Sequence, residues 1–405
     1  MNQLLKIYRK HGAQHYNPIP VILRKGRGVY LQDIEGKSYI DFVSSYSSVN
    51  QGHCHPRLVQ TMYDQSSQLT LCSSAFHNEN LIHFFQYMHD TFGYDKCLPM
   101  NTGVEGGETA IKLARLWGYK HKKIPENQAT IVMANHNFWG RTISACSSST
   151  NPACYTSFGP YTPGFEYVDY NDIDQLKEAF DRNPNIAAYM VEPIQGEAGI
   201  LVPDDTYLQD VRDLCTKHDV LLICDEVQTG IGRTGKMLAS DLWDVRPDIV
   251  ILGKALSGGM MPISAVLCDD HIMDWMEPGM HGSTFGGNPL ASKIAVEAIE
   301  IVKDEQLMEN AEHMGEIFRE FMETYEGQKI KEVRGKGLLN AVELYSQEDA
   351  ERFVALCKEK GLLCKITHGT SVRMCPPLVI TPTQMKDSLE IIDEVLQSID
   401  IWMDI

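Results

Sequence analysis

The chain has 405 residues, 43% of them hydrophobic and 22% charged, which is the composition of a folded globular protein with two or three domains. Its 54 acidic residues outnumber its 36 basic ones, and the resulting net charge of −18 disfavours binding to nucleic acid or anionic lipid. No apolar run approaches the roughly 18 residues of a membrane span, and the start lacks the apolar core of a secretory signal, so we expect neither a membrane protein nor a secreted one.

The first 32 residues contain six basic side chains but no Asp or Glu. This composition is similar to that of an organelle transit peptide. Whether this segment is a transit peptide therefore depends on whether its residues contribute to the functional site.

Four short apolar segments in the middle of the chain predict buried strands. They are rich in β-branched residues and do not alternate with polar ones, as expected for strands covered on both faces. Helical periodicity separates them, for example at 110–117 and 208–215. The predicted strands are Thr130–Ala134, Ile186–Val191, 220–224 and Ile249–Leu252. This order predicts a mainly parallel sheet covered by helices.

The pattern changes after about residue 305. A long amphipathic helix is predicted at 307–325, strands at 333–339 and 372–374, and a final helix beginning after Thr381. Thr381 as N-cap, Pro382 at the first helical position and Gln384 form a capping box. The C-terminal region is therefore predicted to be a smaller α+β domain.

An acid and an amine end two of the predicted strands. Asp225 and Glu226 follow segment 220–224, and Lys254 follows Ile249–Leu252. Each alone is typical of a solvated charge, but ligands of open α/β sheets gather beyond the carboxyl ends of the strands. An amine there can form a Schiff base with an aldehyde cofactor such as pyridoxal phosphate, and a carboxylate can pair with its ring nitrogen. Lys254 and Asp225 are the candidates.

Two further segments offer cofactor and substrate contacts. In 101–110 a glycine-rich turn enters a helix, Thr102 and Glu105 form a capping box, and the N–H groups of Gly103 and Val104 point outward for a phosphate. An ordinary capped helix start has the same pattern. Phe138 is positioned to stack on a cofactor ring and Arg141 to bind a carboxylate, although alone they also fit a core aromatic and a surface cation.

Three motifs together resemble the class III aminotransferases of fold type I: segments 191–199, 225–235 and 252–259. The resemblance extends from about Tyr16 to Pro377. Segments 44–56, 281–289 and 334–340 are similar to the members that act on ornithine. The resemblance to the class III aminotransferases implies the fold of the pyridoxal-phosphate transferases, with a mainly parallel central sheet covered by helices and a smaller α+β C-terminal domain. The implied segments are 1–50, which packs with the small domain and active site, 51–305, the large cofactor-binding domain, and 306–405, the small domain.

The implied activity is transfer of the distal amino group of L-ornithine to 2-oxoglutarate in a ping-pong reaction, which yields glutamate 5-semialdehyde and glutamate. Lys254 would carry the cofactor and move protons, Asp225 would pair with the ring nitrogen, and Gln228 would neighbour the ring hydroxyl. Phe138 would stack on the ring. The phosphate would be held by Gly103 and Val104 and, from the other subunit of a homodimer with shared active sites, by Ser283 and Thr284.

The resemblance also implies how two different substrates are bound. Arg141 would take ornithine's α-carboxylate in one half-reaction and glutamate's distal carboxylate in the other. Arg373 would be used for glutamate only, and Glu197 would mask it during the ornithine half-reaction. Tyr16 and Tyr46 would hold ornithine's amino-acid end, so that the distal amine meets the cofactor.

Several alternatives remain open at this point. Another aminotransferase of the same class, acting on acetylornithine or 4-aminobutyrate, is the nearest. No strand is followed by GxGxxG, which argues against a dinucleotide-dependent dehydrogenase, and the intact Lys254 and Asp225 argue against a catalytically silent binding protein. The 11 cysteines contain no CxxC pair, so no metal site is expected. Only 15 residues precede Tyr16, too few for a transit peptide, and a cytoplasmic location is therefore predicted.

Overall fold

A computed structural model describes residues 2–399, and within that range the strands form three sheets. The strands are Leu23–Arg27, Tyr30–Asp33, Ser38–Asp41, Lys96–Met100, Thr130–Ala134, Phe165–Val168, Ile186–Val191, Leu221–Asp225, Ile249–Leu252, Ser264–Cys268, Glu332–Lys336, Leu339–Glu343, Leu362–Leu363, Lys365–His368 and Ser371–Met374. The α-helices are Asn2–His11, Pro56–Ser66, Glu79–Phe92, Gly103–Lys120, Ile143–Ser147, Pro152–Tyr155, Ile173–Arg182, Tyr207–Lys217, Asp270–Met273, Pro289–Asp304, Leu307–Glu323, Gln347–Lys360 and Pro382–Ser398. Short 3₁₀ turns occur at Ala239–Trp243 and Lys254–Ser257.

The central sheet has seven strands and is mainly parallel, which confirms the predicted fold class. Its strand order is Lys96–Met100, Ser264–Cys268, Ile249–Leu252, Leu221–Asp225, Ile186–Val191, Thr130–Ala134 and Phe165–Val168. Ser264–Cys268 runs antiparallel to both of its neighbours, and the other neighbouring pairs are parallel. Three of the four predicted strands have the predicted bounds, and the fourth lies one residue later than expected, so that Asp225 is its last residue.

Close contact between a helix and this sheet depends on two glycines of Gly103–Lys120. A Cβ atom at Gly107 would lie 2.4 Å from Trp139 Cε3, and one at Gly106 would lie 2.7 Å from Ile251 Cγ2. Both distances are below any tolerable contact, so any larger side chain would push the helix off the sheet. The helix start, and with it the turn at Gly103, is held at the sheet edge by this packing.

The prediction of a single strand at 333–339 is wrong. The structure has two antiparallel strands there, Glu332–Lys336 and Leu339–Glu343. Gly337 lies between them with φ of 54°, and a Cβ atom on it would lie 2.5 Å from the backbone carbon of Thr234. Glycine therefore reverses the chain where the hydrophobic pattern alone suggested continuity. The neighbouring helix Leu307–Glu323 ends two residues before the predicted limit.

The final helix begins as predicted. Thr381 Oγ1 accepts from Gln384 N at 3.3 Å, and Gln384 Oε1 accepts from Thr381 N at 2.9 Å. Its buried residues pack into the largest hydrophobic cluster, which also includes Phe42, Leu252 and Phe353. Because that cluster draws on all three predicted segments, the domain division at residues 50 and 305 stays a prediction.

The described residues contain neither a helix long and apolar enough to cross a bilayer nor a group of three His, Cys, Asp or Glu residues arranged to hold a metal ion. All 11 cysteines are free thiols.

Candidate active site

Lys254 and Asp225 meet at one cavity of about 220 Å³. Their strands are parallel neighbours, with Asp225 opposite Ile251, so both residues lie at the same carboxyl edge of the sheet. The cavity also places several other predicted site residues together with residues that were not predicted. Its lining consists of Gly103, Val104, Phe138, Trp139, Gly140, Glu192, Asp225, Val227, Gln228 and Lys254.

Burial changes the proton affinity of the two central groups. Burial lowers the pKa of Lys254 to about 8, and the charge of Asp225 opposes that change. Burial raises the pKa of Asp225 to about 6, opposed by the N–H of Val227 at 3.0 Å and by the charge of Lys254. A fraction of Lys254 is therefore an uncharged amine near neutral pH, which is the form that attacks a carbonyl carbon. Lys254 also has a φ of 43°, a strained value for a non-glycine residue.

Glu192 is a buried acid in this cavity that the sequence reasoning did not select. Its two carboxylate oxygens accept from Phe138 N and Gly196 N, each at 3.1 Å, so it joins Phe138 to the loop that carries Glu197. Burial and the nearby charge of Asp225 raise the pKa of Glu192 to about 8. The signal was available, because Glu192 directly follows the strand Ile186–Val191 at the same sheet edge.

The start of helix Gly103–Lys120 presents free backbone donors to the cavity. Thr102 and Glu105 form the predicted capping box, with Glu105 Oε2 accepting from Thr102 N at 2.8 Å. Within the described chain the N–H groups of Gly103 and Val104 have no hydrogen-bond partner. Gly140 packs on this turn so closely that a Cβ atom there would lie 2.2 Å from Val104 Cγ2. The result is a small, donor-rich recess suited to an anion.

Arg373 is fully buried and is held by three groups. It donates to Gln228 Oε1 at 2.9 Å, to Gly196 O at 3.0 Å and to Glu197 Oε1 at 3.2 Å, and Gln228 Nε2 donates to Glu197 at 3.2 Å. Arg373 Nε is buried and has no partner among the described residues. The predicted Glu197–Arg373 contact is therefore present, and Gln228 is bound to both of its members.

Tyr46 lies in a left-handed turn, Ser44–Ser47, whose four φ angles are between 46° and 71°. Such angles are rare in non-glycine residues and must be stabilised by surrounding contacts. Asp41 Oδ1 accepts from Val43 N at 2.8 Å and from Ser44 N at 3.1 Å, and Asp41 Oδ2 lies 2.7 Å from His53 Nε2. The turn places the Tyr46 ring 5.3 Å from the guanidinium carbon of Arg373.

The structure does not bring every predicted residue to this cavity. Tyr16 is 60% exposed and packs against the ring of His15, and Arg141 is exposed, with its guanidinium carbon 5.6 Å from the Phe138 ring centre. Ser283 and Thr284 line a separate cavity together with residues 71–74. Ser283 Oγ accepts from Asn101 Nδ2 at 2.8 Å, which ties this loop to the residue before Thr102.

Comparison with known families identifies the class of protein. The family described as class III aminotransferase matches residues 11–396. The chain belongs to this family. The mitochondrial ornithine aminotransferase of Drosophila melanogaster is 54% identical over 389 residues, which cover 96% of this chain and 90% of the fly protein.

Solved structures of class III aminotransferases share the fold. The ornithine aminotransferase of Toxoplasma gondii ME49 superposes with a TM-score of 0.96 at 47% identity, covering 98% of this chain and 95% of that one. The acetylornithine aminotransferase of Elizabethkingia anophelis gives a TM-score of 0.90, also at 47% identity, with 98% and 99% covered.

Class III aminotransferases depend on pyridoxal phosphate, and the residues of this cavity fit that cofactor. The Lys254 amine has no hydrogen-bond partner in the described chain, and neither has the second carboxylate oxygen of Asp225. Gly103 and Val104 add unpaired N–H donors at the recess that Gly140 closes. An amine, an acid and an anion recess are thus arranged around one apolar-walled space, which matches the aldehyde, ring nitrogen and phosphate of the cofactor.

The prediction of a cytoplasmic location is wrong. The fly relative and others of similar identity are described as mitochondrial. The prediction depended on the number of residues ahead of Tyr16, and that number carries no information about location.

Proposed function

We propose that this class III aminotransferase transfers the distal amino group of L-ornithine to 2-oxoglutarate, yielding glutamate 5-semialdehyde and glutamate. The observation that carries the proposal is the buried Arg373 with its removable partner Glu197, 3.2 Å away. Ornithine has one carboxylate and a distal cation, whereas glutamate has two carboxylates. A site that can hide or expose a second arginine suits this pair of substrates.

The cofactor would be held by Lys254, Asp225, Gln228, Phe138, Gly103 and Val104. Pyridoxal phosphate, when bound, supplies an electron-withdrawing ring that stabilises the negative charge left on a substrate carbon after its proton is removed. Asp225, as a carboxylate against the ring nitrogen, would keep that nitrogen protonated. Lys254 Nζ would accept the proton from the substrate carbon and then donate it at a different atom. A pKa lowered to about 8 suits Lys254 to both steps near neutral pH.

The two half-reactions would use the arginines differently. Exposed Arg141 would bind ornithine's α-carboxylate and then glutamate's distal carboxylate. Arg373 would bind glutamate's α-carboxylate only after Glu197 moves aside. Removing the partner of a buried charge costs several kcal/mol of free energy unless a new partner, here the substrate carboxylate, takes its place. Tyr46, beside Arg373, and Tyr16 would orient ornithine so that its distal amine reaches Lys254.

We also propose a homodimer in which Ser283 and Thr284 complete the phosphate site of the other subunit. These residues lie outside the cavity of their own Lys254. Large apolar side chains close in sequence to the residues lining this cavity are exposed, with Phe285 56%, Phe76 72% and Leu69 45% accessible, which is typical of a surface covered by a partner.

Complementation tests the shared site. Lys254→Ala and Thr284→Ala proteins should each be weakly active. Mixed under subunit exchange, they should regain activity, because one of the two sites in the hybrid then has both residues intact. Mixtures that form hybrids without gaining activity would contradict the shared site.

The central experiment mixes the purified holoenzyme with ornithine and 2-oxoglutarate and measures glutamate 5-semialdehyde. Acetylornithine and 4-aminobutyrate serve as comparison amines, since a solved neighbour of 47% identity is an acetylornithine aminotransferase. We expect kcat/KM for ornithine to exceed the values for the two comparison amines by at least about 100-fold. A discrimination of this size arises when the wrong substrate leaves a polar group of the site unpaired. A higher kcat/KM for acetylornithine or 4-aminobutyrate would identify that amine, instead of ornithine, as the substrate.

A further inference from the structure

Two cations face each other beside the candidate substrate site. Lys365 and Arg373 are direct partners in the antiparallel strands Lys365–His368 and Ser371–Met374. Like charges at such positions repel each other. Arg373 has Glu197 as a counter-ion, but within residues 2–399 Lys365 has no carboxylate within 4 Å. The cluster therefore has one more positive than negative charge.

Tyr46 joins these two cations. Lys365 Nζ donates to Tyr46 Oη at 2.5 Å, and the guanidinium carbon of Arg373 lies 5.3 Å from the centre of the same ring. A lysine ammonium has three donors and no acceptor, so the tyrosine oxygen must accept in this contact. The hydroxyl proton of Tyr46 then points away from Lys365, and this proton has no acceptor among the described residues. The Tyr46 hydroxyl can therefore donate a hydrogen bond to a bound ligand.

We propose that Lys365 is a positioning residue that makes this site selective for a carboxylate. By donating to Tyr46, it orients the hydroxyl to donate to the carboxylate that Arg373 binds, and its charge disfavours a substrate ammonium there. The inference rests on the proposed function and deepens it, because it assigns Lys365 to the half-reaction of glutamate and 2-oxoglutarate. The ammonium at ornithine's amino-acid end would instead donate to the Tyr46 oxygen, a contact that does not require the proton orientation imposed by Lys365.

The test measures the two half-reactions separately. Holoenzyme is mixed with glutamate alone or ornithine alone, and the change in cofactor absorbance gives the concentration for half-maximal rate. Lys365→Met should raise that concentration for glutamate about tenfold, the effect of losing one charge-assisted hydrogen bond. For ornithine it should stay the same or fall, because the lysine charge that disfavours the ammonium is gone. Lys365→Arg, which keeps a donor-only cation, should stay within about threefold of wild type for both.

A double variant separates positioning from a general charge effect. If Lys365 acts through the Tyr46 hydroxyl, Tyr46→Phe with Lys365→Met should bind glutamate no more weakly than Tyr46→Phe alone. The exposed Lys331, changed to Met, controls for the altered net charge and should leave both values unchanged. Additive losses in the double variant, or equal losses for both substrates in Lys365→Met, would overturn the proposal.

Folding and identity are checked independently. Lys365→Met removes a like-charge pair and is expected to melt at or above the wild-type temperature. Lys365→Leu, which also lacks a donor, replaces it in the same test if it does not fold. Failure of the wild-type enzyme to convert ornithine would refute the proposed function. The glutamate measurements on Lys365 variants would still decide the role of this lysine.

Discussion

The guanidinium of Arg373 is completely buried, and Glu197, 3.2 Å away, keeps 29% of its side chain exposed. The pair is therefore asymmetric, because the acid can move into solvent at little cost while the arginine cannot. In the proposed function, a substrate carboxylate that reaches Arg373 would take over the position of Glu197, and the unpartnered Nε of Arg373 would offer it one more donor.

Removing the acid should favour the substrate with two carboxylates. In Glu197→Ala, glutamate no longer has to displace a partner of Arg373, whereas ornithine meets an unmasked cation. We expect the ratio of single-turnover rates, glutamate over ornithine, to rise about tenfold or more. Glu197→Asp, which keeps the charge, is the control. An unchanged ratio in the alanine variant would mean that Glu197 does not mask Arg373.

Lys254 should be the residue that carries the cofactor. Borohydride reduction of holoenzyme followed by peptide mapping should label position 254 alone among the 405 residues. Lys254→Ala should lose at least about 1,000-fold in kcat, because both the covalent attachment and the proton transfer depend on this amine. Labelling of another lysine in the wild-type protein would contradict the assignment.

Glu192 should make the cofactor-free protein less stable as pH rises. Its pKa is about 8 in the fold against 4.5 normally, so between these values the folded protein keeps a proton that the unfolded chain releases. Stability therefore falls as pH rises from about 5 to 8. Glu192→Gln cannot ionise at this position. The melting temperature of the variant minus that of wild type should therefore increase as pH rises across this range.

The comparison between the two proteins isolates Glu192, since other titrating groups are common to both. Glu178→Gln, at an exposed helix position, is the matched control and should track the wild type. A constant difference between Glu192→Gln and wild type from pH 5 to 8 would show that Glu192 is ionised in the fold.

Asp41 should stabilise both the left-handed turn and the binding of glutamate. Asp41→Ala leaves the N–H groups of Val43 and Ser44 without their acceptor, and we expect a loss of about 1–3 kcal/mol in the free energy of unfolding. KM for glutamate should rise because Tyr46 loses its position, while Asp41→Asn, which keeps an oxygen acceptor, should recover most of both. Urea unfolding with an unchanged midpoint would exclude this role.

Local pattern accounts for the part of the fold that was predicted correctly. The strands Thr130–Ala134 and Ile249–Leu252 are almost entirely apolar because both of their faces are buried, and the Thr381 capping box depends on residues three apart. The hairpin at Gly337 was missed because its glycine is required by a contact with Thr234, a hundred residues away in the chain. Periodicity contains no information about such a contact.

The sequence by itself determined the family, the central sheet and the acid and amine at its edge, because strand ends and turns depend on neighbouring residues. Only the tertiary structure decided that Glu192 joins Phe138 to Gly196, that Gln228 binds both Arg373 and Glu197, and that Lys365 binds Tyr46. Each of these contacts couples segments far apart in the chain, and their energies depend on burial. Burial is set by how whole elements pack, which no short stretch of sequence specifies.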